Sequence, residues 1–124
     1  AHNLAPMPTA RSLCAVVAAQ GFIYVLGGED TDCSSLATAE RYDFAAANWH
    51  LLCPMPKALG SCIGAAIPAT GAVIVAGGLL QLYSYGPASG NWSALPPSSM
   101  NRRYNYSLTA FAGKLYVLGG HTVD

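Results

Sequence analysis

Tyr24-Val25-Leu26-Gly27-Gly28 is the stretch that decides the fold, because its pattern returns twice further along the chain. It returns as Ile74-Val75-Ala76-Gly77-Gly78 and again as Tyr116-Val117-Leu118-Gly119-Gly120. A short run of β-branched and aromatic residues favours a strand, and glycine allows the backbone to turn sharply where that strand ends. Recurrence at a period of roughly 40–50 residues indicates repeated supersecondary units rather than one irregular domain.

Other features recur in the same order around each Gly-Gly pair. Tyr42 precedes Trp49 by the same interval that separates Tyr85 from Trp92, and an Asn stands before each Trp. Pro and Met mark the turn between units. Gly, Pro, Asn and Ser divide each unit into four short apolar runs, which predicts four strands. The predicted strands are 13–19, 22–26, 40–44 and 49–52, then 62–67, 72–76, 82–85 and 92–95, and finally 107–111 and 114–118.

Composition excludes several classes of function. The 124 residues are 52% hydrophobic and 10% charged, and six basic side chains balance six acidic ones. A neutral balance predicts neither nucleic acid nor an anionic membrane as a partner. The longest apolar runs, 14–19 and 63–76, are too short or too interrupted for a membrane helix, which needs roughly 20 apolar residues. The opening residues lack the basic and apolar regions of a signal peptide.

The four cysteines show no metal-binding spacing. Cys14 and Cys62 lie within apolar runs and are expected to be small buried hydrophobic residues. No structural disulfide is expected among the four cysteines. This pattern predicts a reducing, cytoplasmic location.

The repeat resembles the kelch repeat of BTB–kelch proteins. The resemblance rests on Tyr-Val-Leu-Gly-Gly, on Ala39-Glu40-Arg41-Tyr42-Asp43 followed by Trp49, and on the connection Met7-Pro8-Thr9-Ala10-Arg11. Met100-Asn101-Arg102-Arg103-Tyr104 is similar to that connection. The resemblance implies an all-β fold: a fragment of a kelch-type β-propeller with four-stranded antiparallel blades, about two and a half of them.

On this interpretation the chain divides into four parts. Residues 1–8 end a preceding blade, 9–56 form one blade, 57–100 a second and 101–124 the first half of a third. The second blade is degenerate, since Tyr83 and Gly86 replace Glu40 and Asp43 and its second loop is short. An open fragment would expose sheet edges, so further blades or an assembly are expected to cover it.

The resemblance implies a protein-binding module rather than an enzyme. Kelch propellers bind partner proteins through the loops of one rim, in some cases as substrate receptors of cullin-RING ubiquitin ligases. A scaffold subunit of a large assembly and an actin-binding module are the alternatives. Among the rim residues Arg11 and Arg103 are the strongest candidates, because arginine is enriched at interface hot spots and the two recur in equivalent places. The predicted partner-binding residues are Arg11, Ser12, Glu29, Asp30, Asp32, Lys57, Ser61, Arg103, Tyr104 and Asn105.

An enzymatic propeller, either sugar-active or copper-dependent, is the less favoured alternative. A copper site needs clustered His and Tyr ligands, whereas His2, His50 and His121 are scattered along the chain. No nucleophile, zinc or phosphate-loop motif is present in the sequence. We therefore expect no catalytic residue, no cofactor and no metal.

Overall fold

The computed structural model describes residues 4–77, 81–95 and 103–122, which form ten strands. Within those ranges no helix is long and apolar enough to cross a membrane. The strands are β1 (Ala15–Ala19), β2 (Phe22–Leu26), β3 (Ala39–Asp43), β4 (Asn48–Leu51), β5 (Cys62–Ile67), β6 (Ala72–Gly77), β7 (Gln81–Gly86), β8 (Asn91–Ala94), β9 (Arg103–Phe111) and β10 (Lys114–Thr122).

Blade one is the antiparallel sheet β1-β2-β3-β4, whose strands follow one another in chain order. The turn between β1 and β2 holds only Gln20 and Gly21, with φ of 50° and 84°. Positive φ at both central residues is the requirement of a tight hairpin turn whose twist matches that of the flanking strands. The pairing therefore runs in register from Ala19 opposite Phe22 to Ala15 opposite Leu26.

Blade two repeats this arrangement as the sheet β5-β6-β7-β8. The registers correspond: Val25 lies opposite Glu40 in blade one, and Val75 lies opposite Tyr83 in blade two. The sequence departures of the second repeat thus leave all four strands in place. The prediction of an all-β fold with four-stranded antiparallel blades is confirmed.

Strands β9 and β10 form a hairpin that is longer than the sequence pattern predicted. The ladder of paired residues continues past Gly119, with His121 opposite Tyr104 and Thr122 opposite Arg103. Because this pairing extends the strand, residues 103–105 belong to β9 and not to the connection before it. The partner-binding role of Arg103, Tyr104 and Asn105 stays a prediction.

The blades pack face to face, with β1 beside β5 and β5 beside β9. β1 and β5 lie very close at Gly64, where an added Cβ would lie 2.5 Å from Val17 Cγ2 of β1. Tyr24 and Tyr85 meet across the same boundary, with ring centroids 6.0 Å apart. Burying a large apolar side chain contributes roughly 1.5–3 kcal/mol, so this boundary is a main source of stability. The main buried cluster consists of Ala15, Val17, Tyr24, Leu26, Ala39, Met55, Leu59, Cys62, Val73, Val75 and Tyr85.

Each repeated tryptophan holds a blade to the segment that enters it. Trp49 Nε1 donates a hydrogen bond to the Ala5 carbonyl at 2.7 Å, and Trp92 Nε1 donates to the Cys53 carbonyl at 2.8 Å. Both acceptors stand two residues before the Met of the Pro-Met-Pro turn. A buried or half-buried indole normally finds such an acceptor for its N–H group. The recurrence of Asn-Trp and Pro-Met-Pro in the sequence thus corresponds to one repeated contact.

Candidate functional site

The connections of each blade divide between its two ends. In an antiparallel sheet of four consecutive strands, the links from the second to the third strand and from the fourth to the next first strand share one end. The two hairpin turns lie at the other end. We define the loop rim as residues 10–14, 27–38 and 52–61, which are the connections of this first kind around blade one.

Main-chain hydrogen bonds fix the central loop of the rim on both sides. Ser12 and Glu29 exchange two of them, at 2.9 and 2.8 Å. On the other side Gly28 N donates to the Leu59 carbonyl at 2.8 Å, and Leu59 N donates to the Leu36 carbonyl at 3.0 Å. The loop therefore has a defined conformation before any partner arrives.

The Gly-Gly pair makes this close approach possible. Gly27 and Gly28 have φ of 63° and 92°, in the left-handed region where side chains are disfavoured. A Cβ on Gly28 would also collide with the Ser12 carbonyl, and one on Gly27 would lie 2.8 Å from the Leu59 carbonyl. The pair that marks the repeat in the sequence is thus the point where three rim segments meet.

The tip of the central loop is shaped by Asp30. Its Oδ1 accepts hydrogen bonds from Asp32 N at 2.9 Å and from Ser34 N at 3.0 Å. This is an Asx turn, in which a short carboxylate side chain replaces a main-chain acceptor. Asp30 is half-buried and its Oδ1 is already engaged in these two hydrogen bonds, whereas Asp32 is exposed beside it.

Most predicted rim residues do lie on the rim. Ser12, Asp32, Lys57 and Ser61 are exposed, and Glu29 is half-buried. Ser12, Glu29 and Asp30 share one shallow depression with Thr31. The partner-binding role of these residues stays a prediction. Ser35 lies beside these residues, since a Cβ on Gly60 would lie 2.5 Å from Ser35 Oγ and 3.5 Å from Glu29 Oε2.

Arg11, the strongest rim candidate, does not offer its side chain to a partner. Its guanidinium is fully buried in an ion pair with Glu40, whose side chain is also fully buried. It donates further to the Gly27 carbonyl at 2.9 Å and to the Thr38 carbonyl and hydroxyl, each at 3.0 Å. The prediction of Arg11 as a contact residue is wrong, because the blade itself supplies the acceptors that a partner would have supplied.

Blade two has uncharged residues at the two positions of this ion pair. Leu59 occupies the position of Arg11, and Tyr83 takes the register position of Glu40. Leu59 is 3% exposed and packs against the buried core. Sequence reasoning could have detected the pair, since both members change together between the two repeats.

Arg103 occupies the place of Arg11 in the third blade. Ser107 pairs with Leu118 as Ala15 pairs with Leu26, so the register sets Arg103 where Arg11 stands in blade one. The backbone of Tyr104 and Asn105 follows it along β9. The side chains of these three residues lie outside what the structure describes.

The titratable groups away from the rim bear on two kinds of site, metal-ligand clusters and groups with shifted pKa values. In the described part of the chain no group of three or more His, Cys, Asp or Glu side chains could hold a metal ion. The four cysteines are free thiols. Cys62 is buried as expected and donates to the Leu26 carbonyl at 3.1 Å, while Cys14 is half-buried rather than buried. Burial raises the pKa of the Cys62 thiol above its ordinary value.

Comparison with known proteins agrees with this architecture. Residues 10–56 match the family model of the Kelch motif. The chain is 32% identical over 120 residues to Kelch-like protein 35 of Mus musculus, covering 94% of this chain and 20% of that protein. It is 31% identical over 109 residues to Kelch-like protein 21 of Danio rerio, covering 82% and 17% respectively. It is 28% identical over 134 residues to Beta-scruin of Limulus polyphemus, covering 97% and 14%.

The chain thus spans about a fifth or less of the length of these relatives. The matched motif covers blade one, and the relatives extend the similarity to most of the chain. Two sheets with the same strand order and corresponding registers give the repeat a structural basis. The chain belongs to the kelch-repeat family of β-propeller proteins.

Proposed function

We propose that this chain is part of a propeller that binds a partner protein through the loop rim. The observation that carries the proposal is the central loop 27–38, which is hydrogen-bonded between two neighbouring connections. Around it the side chains of Ser12, Asp32, Lys57 and Ser61 are exposed to solvent. The kelch-repeat relatives support the same kind of module.

A fixed loop is suited to recognition. Binding costs free energy whenever flexible side chains or loops become ordered, and a loop that is already ordered avoids much of that cost. The rim loop is held by main-chain hydrogen bonds on both sides and by the Asx turn at Asp30. Its exposed side chains are therefore available to a partner without any rearrangement of the blade.

The charge of the loop indicates the chemistry of the partner surface. Glu29, Asp30 and Asp32 place negative charge at the tip of one loop, and Lys57 is the exposed cation of the next connection. Complementary charge mainly governs partner selection and the rate of association. We infer a partner segment with basic residues opposite the tip of loop 27–38.

We further propose that the whole protein is a substrate receptor of a cullin-RING ubiquitin ligase. Support comes from the relatives, among which is Kelch repeat and BTB domain-containing protein 2 of Homo sapiens, 29% identical over 116 residues. Its name records a BTB domain beside the kelch repeats. The alternatives are a scaffold subunit and an actin-binding module, and a cullin recovered with the purified full-length protein would distinguish the receptor from both.

The proposal gives the chain a binding role and no catalytic one, and places it in the cytoplasm. Four free thiols, two of them exposed, suit a reducing compartment better than one in which disulfides persist.

Two matched variants of the full-length protein test the role of the rim. Ser12→Lys adds a cation on the rim, and Ala46→Lys adds the same charge at an exposed position of the opposite end of blade one. We expect Ser12→Lys to reduce recovery of the co-purified partner by about tenfold, which corresponds to roughly 1.4 kcal/mol, and Ala46→Lys to leave it unchanged. Equal recovery with both variants, or loss with Ala46→Lys alone, would contradict the proposal.

A further inference from the structure

One side chain joins both ends of the central loop of the rim. Arg11 Nη1 donates hydrogen bonds to the Gly27 carbonyl at 2.9 Å and to the Thr38 carbonyl at 3.0 Å. Gly27 begins the connection between β2 and β3, and Thr38 ends it. Arg11 Nη2 also donates to the Thr38 hydroxyl at 3.0 Å. The guanidinium therefore lies at the base of loop 27–38 and closes that base.

Glu40 keeps the guanidinium in this place. Its carboxylate pairs with Arg11 Nη2, and both side chains are fully buried. Either charge alone would be strongly unfavourable at such a position, because it would be buried without compensation. The donors of a guanidinium point in fixed directions, so a single arginine can hold two carbonyls and a carboxylate at the same time. The pair thus fixes the separation of the two loop ends.

The backbone beside Arg11 carries this constraint toward the exposed part of the loop. Ser12, the next residue, exchanges two main-chain hydrogen bonds with Glu29, at 2.9 and 2.8 Å. Glu29 in turn forms a β-bridge with Ser35 on the returning half of the loop. A segment held at Arg11 therefore orders both halves of the loop.

Blade two has neither charge, and its corresponding connection is much shorter. Leu59 and Tyr83 occupy the positions of Arg11 and Glu40. In the sequence, residues 78–80 are all that separates β6 from β7. The four strands of blade two nevertheless pair in the same order as those of blade one. A four-stranded blade thus forms without the ion pair, which accompanies the blade whose connection is long.

We propose that Arg11 and Glu40 are positioning residues for partner recognition, which hold loop 27–38 in the conformation that the partner binds. This inference rests on the proposed function of the loop rim. Both side chains are fully buried, so they act through the loop and not by touching the partner. A loop with fixed ends loses less conformational entropy on binding, so affinity falls when the pair is removed although every exposed rim residue is unchanged.

Stability and recognition can be separated by introducing both residues of blade two. The double variant Arg11→Leu, Glu40→Tyr of the full-length protein leaves no unpaired buried charge, so we expect its blades to remain folded. Amide exchange in residues 28–37 should become about tenfold faster than in the unmodified protein, while β2 and β3 stay protected. Recovery of the partner that co-purifies with the unmodified protein should fall by about tenfold.

Arg41→Leu is the matched control. Arg41 follows Glu40 on β3, so its side chain lies on the opposite face of the sheet. Its guanidinium carbon lies 4.1 Å from the Phe22 ring centroid, and Nη1 donates to the Tyr24 hydroxyl at 3.4 Å. The variant removes an arginine from the same strand of the same blade. We expect it to leave both the exchange in residues 28–37 and the recovery of the partner unchanged.

Ser12→Lys, which tests the rim itself, separates this inference from the proposed function. Loss of the partner with Ser12→Lys but full recovery with the double variant would overturn the positioning role and leave the binding role of the rim standing. Unchanged exchange in residues 28–37 of the double variant, or equal loss of the partner with Arg41→Leu, would also overturn the positioning role. Full recovery with Ser12→Lys would contradict the proposed function, and the positioning role with it.

Discussion

At the scale of single residues, the ion pair of Arg11 and Glu40 is the feature that most separates the two blades. Both side chains are fully buried, and the guanidinium ties together Gly27, Thr38 and Glu40 on the inner side of the loop rim. A buried charge is costly unless its partner is present, but an apolar pair of suitable shape can replace both members at little cost. At these positions blade two has Leu59, which belongs to the main buried cluster, and Tyr83, which packs against that cluster.

This comparison leads to a prediction for the full-length protein. Arg11→Leu alone should lower the free energy of unfolding by roughly 3–5 kcal/mol, because it leaves the Glu40 carboxylate buried without a cation. The double change Arg11→Leu and Glu40→Tyr should recover at least about 2 kcal/mol of that loss. Denaturant unfolding of the two single variants and the double variant measures the coupling. If the losses in free energy of unfolding of the two single variants simply add in the double variant, the residues of blade two cannot replace the ion pair of blade one.

The same pair marks the limit of prediction from sequence at this scale. An arginine in a loop beside Ser12 is typical of a partner contact, and nothing local indicates that its acceptor is Glu40, a residue on the third strand. Ser12, Asp32, Lys57 and Ser61 needed no such information, because exposure follows from their position in polar connections. The one indication in the sequence is that Arg11 and Glu40 both change in the second repeat, to Leu59 and Tyr83, as two residues in contact would.

At the scale of elements, turns and tryptophans account for most of what the sequence predicted. Gln20-Gly21 sets the first hairpin, and the predicted strand 22–26 agrees with β2 because that turn fixes the register. The sequence predicts that β9 begins at residue 107, whereas in the structure it begins four residues earlier, at Arg103. Arg103, Tyr104 and Asn105 are polar or amphipathic and resemble a connection, whereas cross-strand pairing with β10 extends the strand through them.

The tryptophan contacts can be tested by removing one donor. The ring centroids of Tyr42 and Trp49 lie 5.3 Å apart. Trp49→Phe keeps an aromatic ring beside Tyr42 but removes the hydrogen bond to the Ala5 carbonyl. We expect a loss of about 1 kcal/mol in the free energy of unfolding and faster amide exchange in residues 5–9. Leu51→Ala is the control, because Leu51 on the same strand is 70% exposed. Unchanged exchange in residues 5–9 would mean that the indole does not hold this segment.

At the scale of the whole molecule, the blades leave surfaces that the described residues do not cover. Leu118 on β10 is 56% exposed and Phe111 at the end of β9 is 72% exposed. In a propeller such side chains face the next blade, which agrees with the expectation that further blades or an assembly cover these edges. The loop rim and the opposite turns belong to the same rigid sheets, so a partner that binds one end should leave the other unaffected.

Amide hydrogen exchange of the full-length protein, alone and with its co-purified partner, tests the central claim most directly. The account predicts slower exchange on binding in residues 10–14, 27–38 and 52–61, which make up the loop rim. It predicts no change in the turns 20–21, 44–47 and 68–71 at the opposite end of the blades. Protection of those turns with an unchanged rim would contradict the account, because the partner would then use the end that the kelch repeat leaves with only short hairpins.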